Sequence, residues 1–197
     1  MRKLETAVVL GIIMAIAWGN FGEFRQRLND LKSGVLRLHI LANSDSQEDQ
    51  DLKLLVRDEL LKASEELFAG CDTLEEMKQR AVEEKETIRL LAQNVLEQHG
   101  CDDKVTVQLV QMQFDKREYE EITMPAGAYD ALRILIGNGE GHNWWCVMYP
   151  PLCLPAASDE GWFDAETEEI LEEPERFEVK FKCVELWDSL KERFNKD

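Results

Sequence analysis

The residues with the most chemical potential lie close together late in the chain: His142, Trp144, Trp145 and Cys146, with Cys153 beyond them. A cysteine beside a histidine is the raw material of a thiolate nucleophile. His142 or His39 would act as base, and such a pair also needs a third, orienting group. On that reading the chain is a cell-envelope hydrolase using a Cys146 nucleophile. The same cysteines support a structural reading. Cys146 and Cys153 flank Val-Met-Tyr-Pro-Pro-Leu, and Pro150 with Pro151 force a turn that would bring the sulfurs within bridging distance. In an exported protein a disulfide there staples the loop.

Gly137, Asn138, Gly139 and Gly141 precede this group. Glycine and asparagine tolerate positive φ, so the string suits a tight reversal between two strands. A phosphate cradle does not fit: no Gly-Lys-Ser/Thr follows, and the next element reads as a strand. Trp144 and Trp145 are neighbours in that strand and must point to opposite faces. One can fill the core, while the other meets solvent, another layer or a partner. Asn43, Ser44 and Asp45 form an oxygen-rich cluster. EF-hand spacing and its terminal Glu are absent, so helix capping is the simpler reading, with Ser44 and Gln47 at capping-box spacing. Five cysteines leave at least one thiol free, and no Cys/His set has zinc spacing, so no metal or cofactor is expected.

Elements to position these residues are readable from periodicity. Val35–Leu41 alternates and predicts a half-buried strand. A helix follows, with Leu52, Leu55, Val56, Leu60, Ala63 and Leu67 inward and Gly70 as its stop. Thr73 and Glu76 open a second helix that closes at Gly100. The period then changes to two: Val105–Leu109, a weaker strand over Glu118–Met124, a strong one over Tyr129–Ile136, and Asn143–Tyr149. Ser158–Glu175 reads as an acidic loop and Arg176–Lys182 as strand-like. A terminal helix covers Glu185–Asn195, with Leu186, Trp187, Leu190 and Phe194 inward. The fold class is therefore α+β: a helical hairpin packed on a mainly antiparallel sheet, with a C-terminal helix.

The N-terminus carries Arg2 and Lys3, then an uncharged run from Thr6 to Gly22 with an apolar heart over Ala7–Trp18. That is the layout of a secretory signal peptide or membrane anchor, assigned to residues 1–22, with 23–34 as spacer and 35–197 as a single domain containing the acidic loop around 158–175. An Ala15-x-Ala17 site lies inside the apolar run. The net charge of -17 repels phosphate backbones, so no nucleic acid is expected, and it repels anionic headgroups too. Membrane contact is expected only through the N-terminal segment.

The segments LRLHILANSDSQEDQDLKLLVRD (Leu36–Asp58), MPAGAYDALRILIGNGEGHNWWCVMYPPLC (Met124–Cys153) and FEVKFKCVELWDSL (Phe177–Leu190) resemble blocks of the stage II sporulation protein R family. The resemblance implies an intercellular signalling protein of endospore formers and not an enzyme. Family members are secreted from the forespore into the intermembrane space. Their partner is a membrane-embedded sporulation aspartic protease of the mother cell, which processes the sigma-E precursor. On this reading the expected contact residues are Asn43, Ser44, Asp45, Asn138, Gly139, Gly141, Asn143, Trp144, Trp145, Pro150 and Pro151, with Cys146 and Cys153 as the disulfide.

Overall fold

The computed structural model describes residues 2–119, 122–150 and 163–194. Among these described residues, six α-helices and six strands occur in the order α1 (Arg2–Ser33), β1 (Leu36–Leu41), α2 (Gln47–Leu67), α3 (Leu74–Glu83), α4 (Lys85–Gln98), β2 (Val105–Phe114), β3 (Arg117–Tyr119), β4 (Ile122–Met124), β5 (Gly127–Ile136), β6 (Asn143–Tyr149), α5 (Ala165–Glu172) and α6 (Glu178–Phe194), with a 3-10 turn at Pro174–Phe177 before α6. The chain is α+β, as expected. It divides into two compact units: Met1–Lys32, Asp115–Gly127 and Phe163–Asp197 form one, and Ser33–Phe114 with Ala128–Trp162 form the other. Residues 35–197, read from the sequence as one domain, are thus shared between both units.

The second unit holds a four-stranded, mainly antiparallel sheet in the order β2-β5-β1-β6. β1 pairs parallel with β5 and antiparallel with β6. A bond from Gly137 N–H to Lys104 O, 2.9 Å, joins the end of β5 to the start of β2. Leu36, Leu38 and Ile40 pack with Leu52, Val56, Leu60, Met77, Ile88 and Leu96 of the helices in one apolar core. The expectation of a half-buried β1 fails here, because all six of its residues are buried. A central strand has neighbours on both edges, and its polar face carries Arg37 and His39 into an aromatic cluster. The Arg37 guanidinium lies 4.1 Å from the Phe114 ring centroid and 5.0 Å from that of Tyr129.

The helices differ from their sequence reading in three ways. The cap of α2 is Ser46, whose side chain accepts Asp49 N–H at 3.2 Å, so Ser44 is released for other bonds. Leu55 is 39% exposed, while Lys53 and Ser64 occupy inward positions. The second helix is broken at Glu84 into α3 and α4. Its N-terminal capping box at Thr73 and Glu76 forms with both reciprocal bonds.

The first unit contains α1, the β3–β4 hairpin, α5 and α6. Phe24, Leu28, Ile170 and Val184 form its core, with Phe21, Phe177 and Phe181 against it. The acidic stretch read as a loop carries α5, capped by Asp164, which accepts Thr167 N–H at 2.9 Å. Arg176–Lys182 is not a strand. Phe177, Val179 and Phe181 alternate, but Phe177, Phe181 and Val184 also keep helical spacing, and the helical set is the one turned inward. Leu186 and Trp187, expected inside, are exposed (62% and 38%). Among the described residues, no helix is long and apolar enough to cross a membrane.

Candidate functional site

β1 and β5 are adjacent and parallel, so both chains leave the sheet at the same edge. The loop from Ala42 to Ser46 therefore runs beside the loop from Gly137 to His142. The two sequence patches expected as separate contact regions are one structure. Asn138 N–H donates to Asn43 Oδ1 at 2.9 Å. Glu140 N–H donates to Asn43 O at 3.2 Å, and Gly141 N–H to Ala42 O at 3.0 Å. His142 N–H donates to Asp45 Oδ1 at 2.6 Å, and the His142 ring pairs with the same carboxylate.

Two glycines make this approach possible. Gly137 has φ 57 and faces the Asn43 side chain, so a Cβ there would overlap it. Gly141 lies against the backbone carbonyl of Ser44, and a Cβ would overlap both its oxygen and its carbon. The first turns of α2 brace the pair from below. Ser44 Oγ donates to Asp49 Oδ2 at 2.5 Å, and Asn43 Nδ2 donates to the same oxygen at 3.3 Å. Gln50 Nε2 donates to Ser44 O at 2.8 Å. Lys53, 5% exposed, donates to His142 O at 2.9 Å. Burial holds the Lys53 ammonium below its ordinary pKa, and the hydrogen bonds from His142 hold the Asp45 carboxyl below its own. Asn43, Ser44 and Asp45 are thus engaged with protein groups. No cluster of three or more His, Cys, Asp or Glu that could hold a metal ion occurs among the described residues.

The paired loops open onto β6. Asn143 is exposed, and its Oδ1 accepts His39 Nε2–H at 2.9 Å. The His39 ring stacks on Trp145 at 4.2 Å and 11°, and Phe114 meets Trp145 edge-on at 4.5 Å. Trp144 lies on the other face, against the helix-side core, with the Arg57 guanidinium 5.6 Å from its ring centroid. Both tryptophans are half-buried. His39 is driven down to a pKa of about 4, first by burial and further by Arg133 and Arg37. Among the described residues its Nδ1 has no hydrogen-bond partner, so a proton added there would be a buried charge with no acceptor among them.

Cys146 is buried and disulfide-bonded. Its expected partner Cys153, like Pro151, lies outside the described residues, while Pro150 is buried behind a cis bond to Tyr149. Cys146 is paired with Leu38 and belongs to the helix-side core, whereas His39 is the next residue of β1 and points to the opposite face. The His142 ring is held by Asp45. The thiolate–imidazole pair weighed from sequence is not assembled by this arrangement. Cys71, Cys101 and Cys183 are free.

Lys53, Asp49 and Gln50 were missed by sequence reasoning. A lysine one position from Leu52 on an amphipathic helix reads as solvated, and only its place between Leu52 and Val56 hinted that it turns inward.

An α+β scaffold whose polar side chains fix two adjoining loops beside a pair of half-exposed tryptophans defines a protein organised around a preformed surface. The chain belongs to the stage II sporulation protein R family, whose model matches residues 32–159 and takes in both loops and all of β1 to β6. It is therefore a sporulation protein. It is similar to Stage II sporulation protein R of Bacillus subtilis (strain 168), 37% identical over 120 residues, which is 61% of this chain and 54% of the relative. The chain spans about half the length of that curated relative. No solved structure matches it.

Proposed function

We propose that this chain is an exported signalling protein of sporulation. Secreted from the forespore into the intermembrane space, or anchored there by its N-terminal segment, it activates the mother-cell membrane aspartic protease that processes the sigma-E precursor. It acts as a ligand and catalyses nothing itself. Asn138, Gly139, Asn143, Trp144 and Trp145 make the contact, with Asn43, Ser44, Asp45 and Gly141 holding its shape and the Cys146 bridge bracing β6; Pro150 and Pro151 are further contact residues on this reading.

The observation that carries this reading is the interlocking of the 42–46 and 137–142 loops through five backbone N–H or ring bonds and two glycine close approaches, inside the family-matched segment. A prepaid loop geometry reduces the ordering cost of binding. Activation then requires that the protease bind this surface better in its active than in its inactive state. The test is co-expression of this chain with the protease and the sigma precursor in a host that has none of them. Processing should appear only when this chain is present. Equal processing without it sinks the reading.

A further inference from the structure

The four-stranded sheet ends on one side at β2, which has β5 as its neighbour and no strand beyond it among the described residues. The outer row of N–H and C=O groups on this strand is open to a further strand. Gln93 meets only its first residue, accepting the Val105 N–H at 3.0 Å. From Thr106 to Phe114 no backbone bond leads away from the sheet among the described residues. Exposure agrees with an open edge: Thr106, Gln111 and Gln113 are exposed, and Gln108, Leu109, Val110 and Met112 are half-buried. Native sheets protect free edges with lysine, proline or brevity. β2 runs for ten residues, VTVQLVQMQF, and has none of these.

The chemistry of the edge selects its occupant. The chain is 32% charged with a net charge of -17, yet β2 has no charged side chain. Two copies repel each other wherever their acidic surfaces meet, and a neutral edge is a place where they can touch without that cost. A basic or acidic strand from another protein would find no counter-charge on β2. Thr106, Gln108, Gln111 and Gln113 add to the case. A glutamine amide both donates and accepts, so an edge lined with glutamine is complementary to itself. Two identical edges pair antiparallel about a two-fold axis normal to the sheet, which leaves the helix-covered faces of both copies on the same side. An axis at Leu109 sets Val107 against Gln111 and Gln108 against Val110. An axis at Val110 sets Leu109 against Gln111 and Gln108 against Met112. Neither register opposes two charges within the strand, where like charges placed opposite each other would destabilise the pair.

We infer that β2 pairs with β2 of a second copy of this chain, joining two four-stranded sheets into one of eight strands. β2 starts where β5 ends, since Gly137 N–H donates to Lys104 O at 2.9 Å. Reversal about the axis sends the 137–142 loops of the two copies to opposite ends of the joined sheet. The dimer carries two loop surfaces that face apart, and the pairing does not depend on which protease the chain addresses.

The experiment follows amide exchange by mass spectrometry on the full chain over about a hundredfold range of concentration. Peptides covering Thr106–Gln113 should exchange at least about tenfold more slowly at the high end, with peptides of α5 unchanged. Raising salt from about 0.05 M to about 0.5 M should strengthen this protection, because it screens the repulsion between two acidic bodies. Thr106→Lys with Gln111→Lys, at two exposed positions, puts four ammonium groups along the shared edge and should abolish the concentration dependence. Thr106→Ser with Gln111→Thr keeps the edge neutral and should retain it. The proposal is overturned if β2 exchanges at one rate across the whole series, or if the lysine pair leaves the protection intact. It is also overturned if the neutral pair removes the protection as fully as the lysine pair does, since charge would then not be the cause. Protection that weakens with salt would mean that ion pairs hold the copies together, and a concentration dependence confined to α1 would assign the association to the N-terminal segment; either result overturns it.

Discussion

The side-chain oxygen of Asn43 accepts the Asn138 N–H at 2.9 Å across 95 residues of chain. Asn43→Ala removes this acceptor and the donor that Asp49 receives. The expected loss is about 1–2 kcal/mol in chemical denaturation, with faster amide exchange at Asn138. Unchanged exchange there would show that the loops hold together without the pair.

Gly141→Ala brings a methyl group onto the Ser44 carbonyl, which is backbone and has little room to move. We expect about 1–3 kcal/mol of destabilisation and loss of precursor processing in the co-expression assay. Exposed Glu140→Ala is the companion variant and should stay within about 0.5 kcal/mol of the parent.

His39 makes stability depend on pH in a stated direction. Its folded pKa of about 4 lies below its ordinary 6.5, so between these values the unfolded chain binds the extra proton. Stability contributed by neutral His39 is complete above pH 6.5 and is lost as pH falls toward 4, up to about 3 kcal/mol over that window. His39→Gln should flatten the slope between pH 6.5 and 5, above the range where most carboxylates titrate. Parallel curves for the two proteins would contradict the assignment.

Trp145 supplies much of the burial that holds His39 neutral. Trp145→Ala should therefore raise the His39 pKa from about 4 toward 6.5, as followed by imidazole proton resonances. Trp144→Ala removes the ring on the opposite face and should leave that titration in place.

Reduction of the Cys146 bridge, or Cys146→Ser, should cost about 2–4 kcal/mol. Neither protein should hydrolyse wall fragments. Activity in the parent that Cys146→Ser abolishes would restore the hydrolase reading.

Much of this was legible in the sequence. Asn143–Tyr149 was bounded as observed, because aromatic and β-branched residues end there at two prolines. The Thr73 capping box was likewise a local signal and survived into the fold. What failed was non-local. β1 alternates as if one face were wet, yet the helices cover one face and the Phe114, Tyr129 and Trp145 rings cover the other, and no local pattern reveals that. The Phe177–Lys182 stretch fits two periods at once, and packing on Phe24 and Ile170 decides for the helix. The site was found as two lists of polar and small residues. That they are one surface follows from the parallel pairing of β1 with β5, which no local pattern carries.

The insertion of β1 also sets an order of events. Leu36 pairs with Asp130 on one side and Tyr149 on the other, so the earliest strand to be made waits for the latest two. Until β5 and the loop after it have been synthesised the 42–46 loop has no second half, and until β6 follows β1 lacks one neighbour. Long-range pairing of this kind makes closure slow. A strand whose two partners arrive last keeps both of its edges open in the meantime, to pairing with another chain as well as with its own.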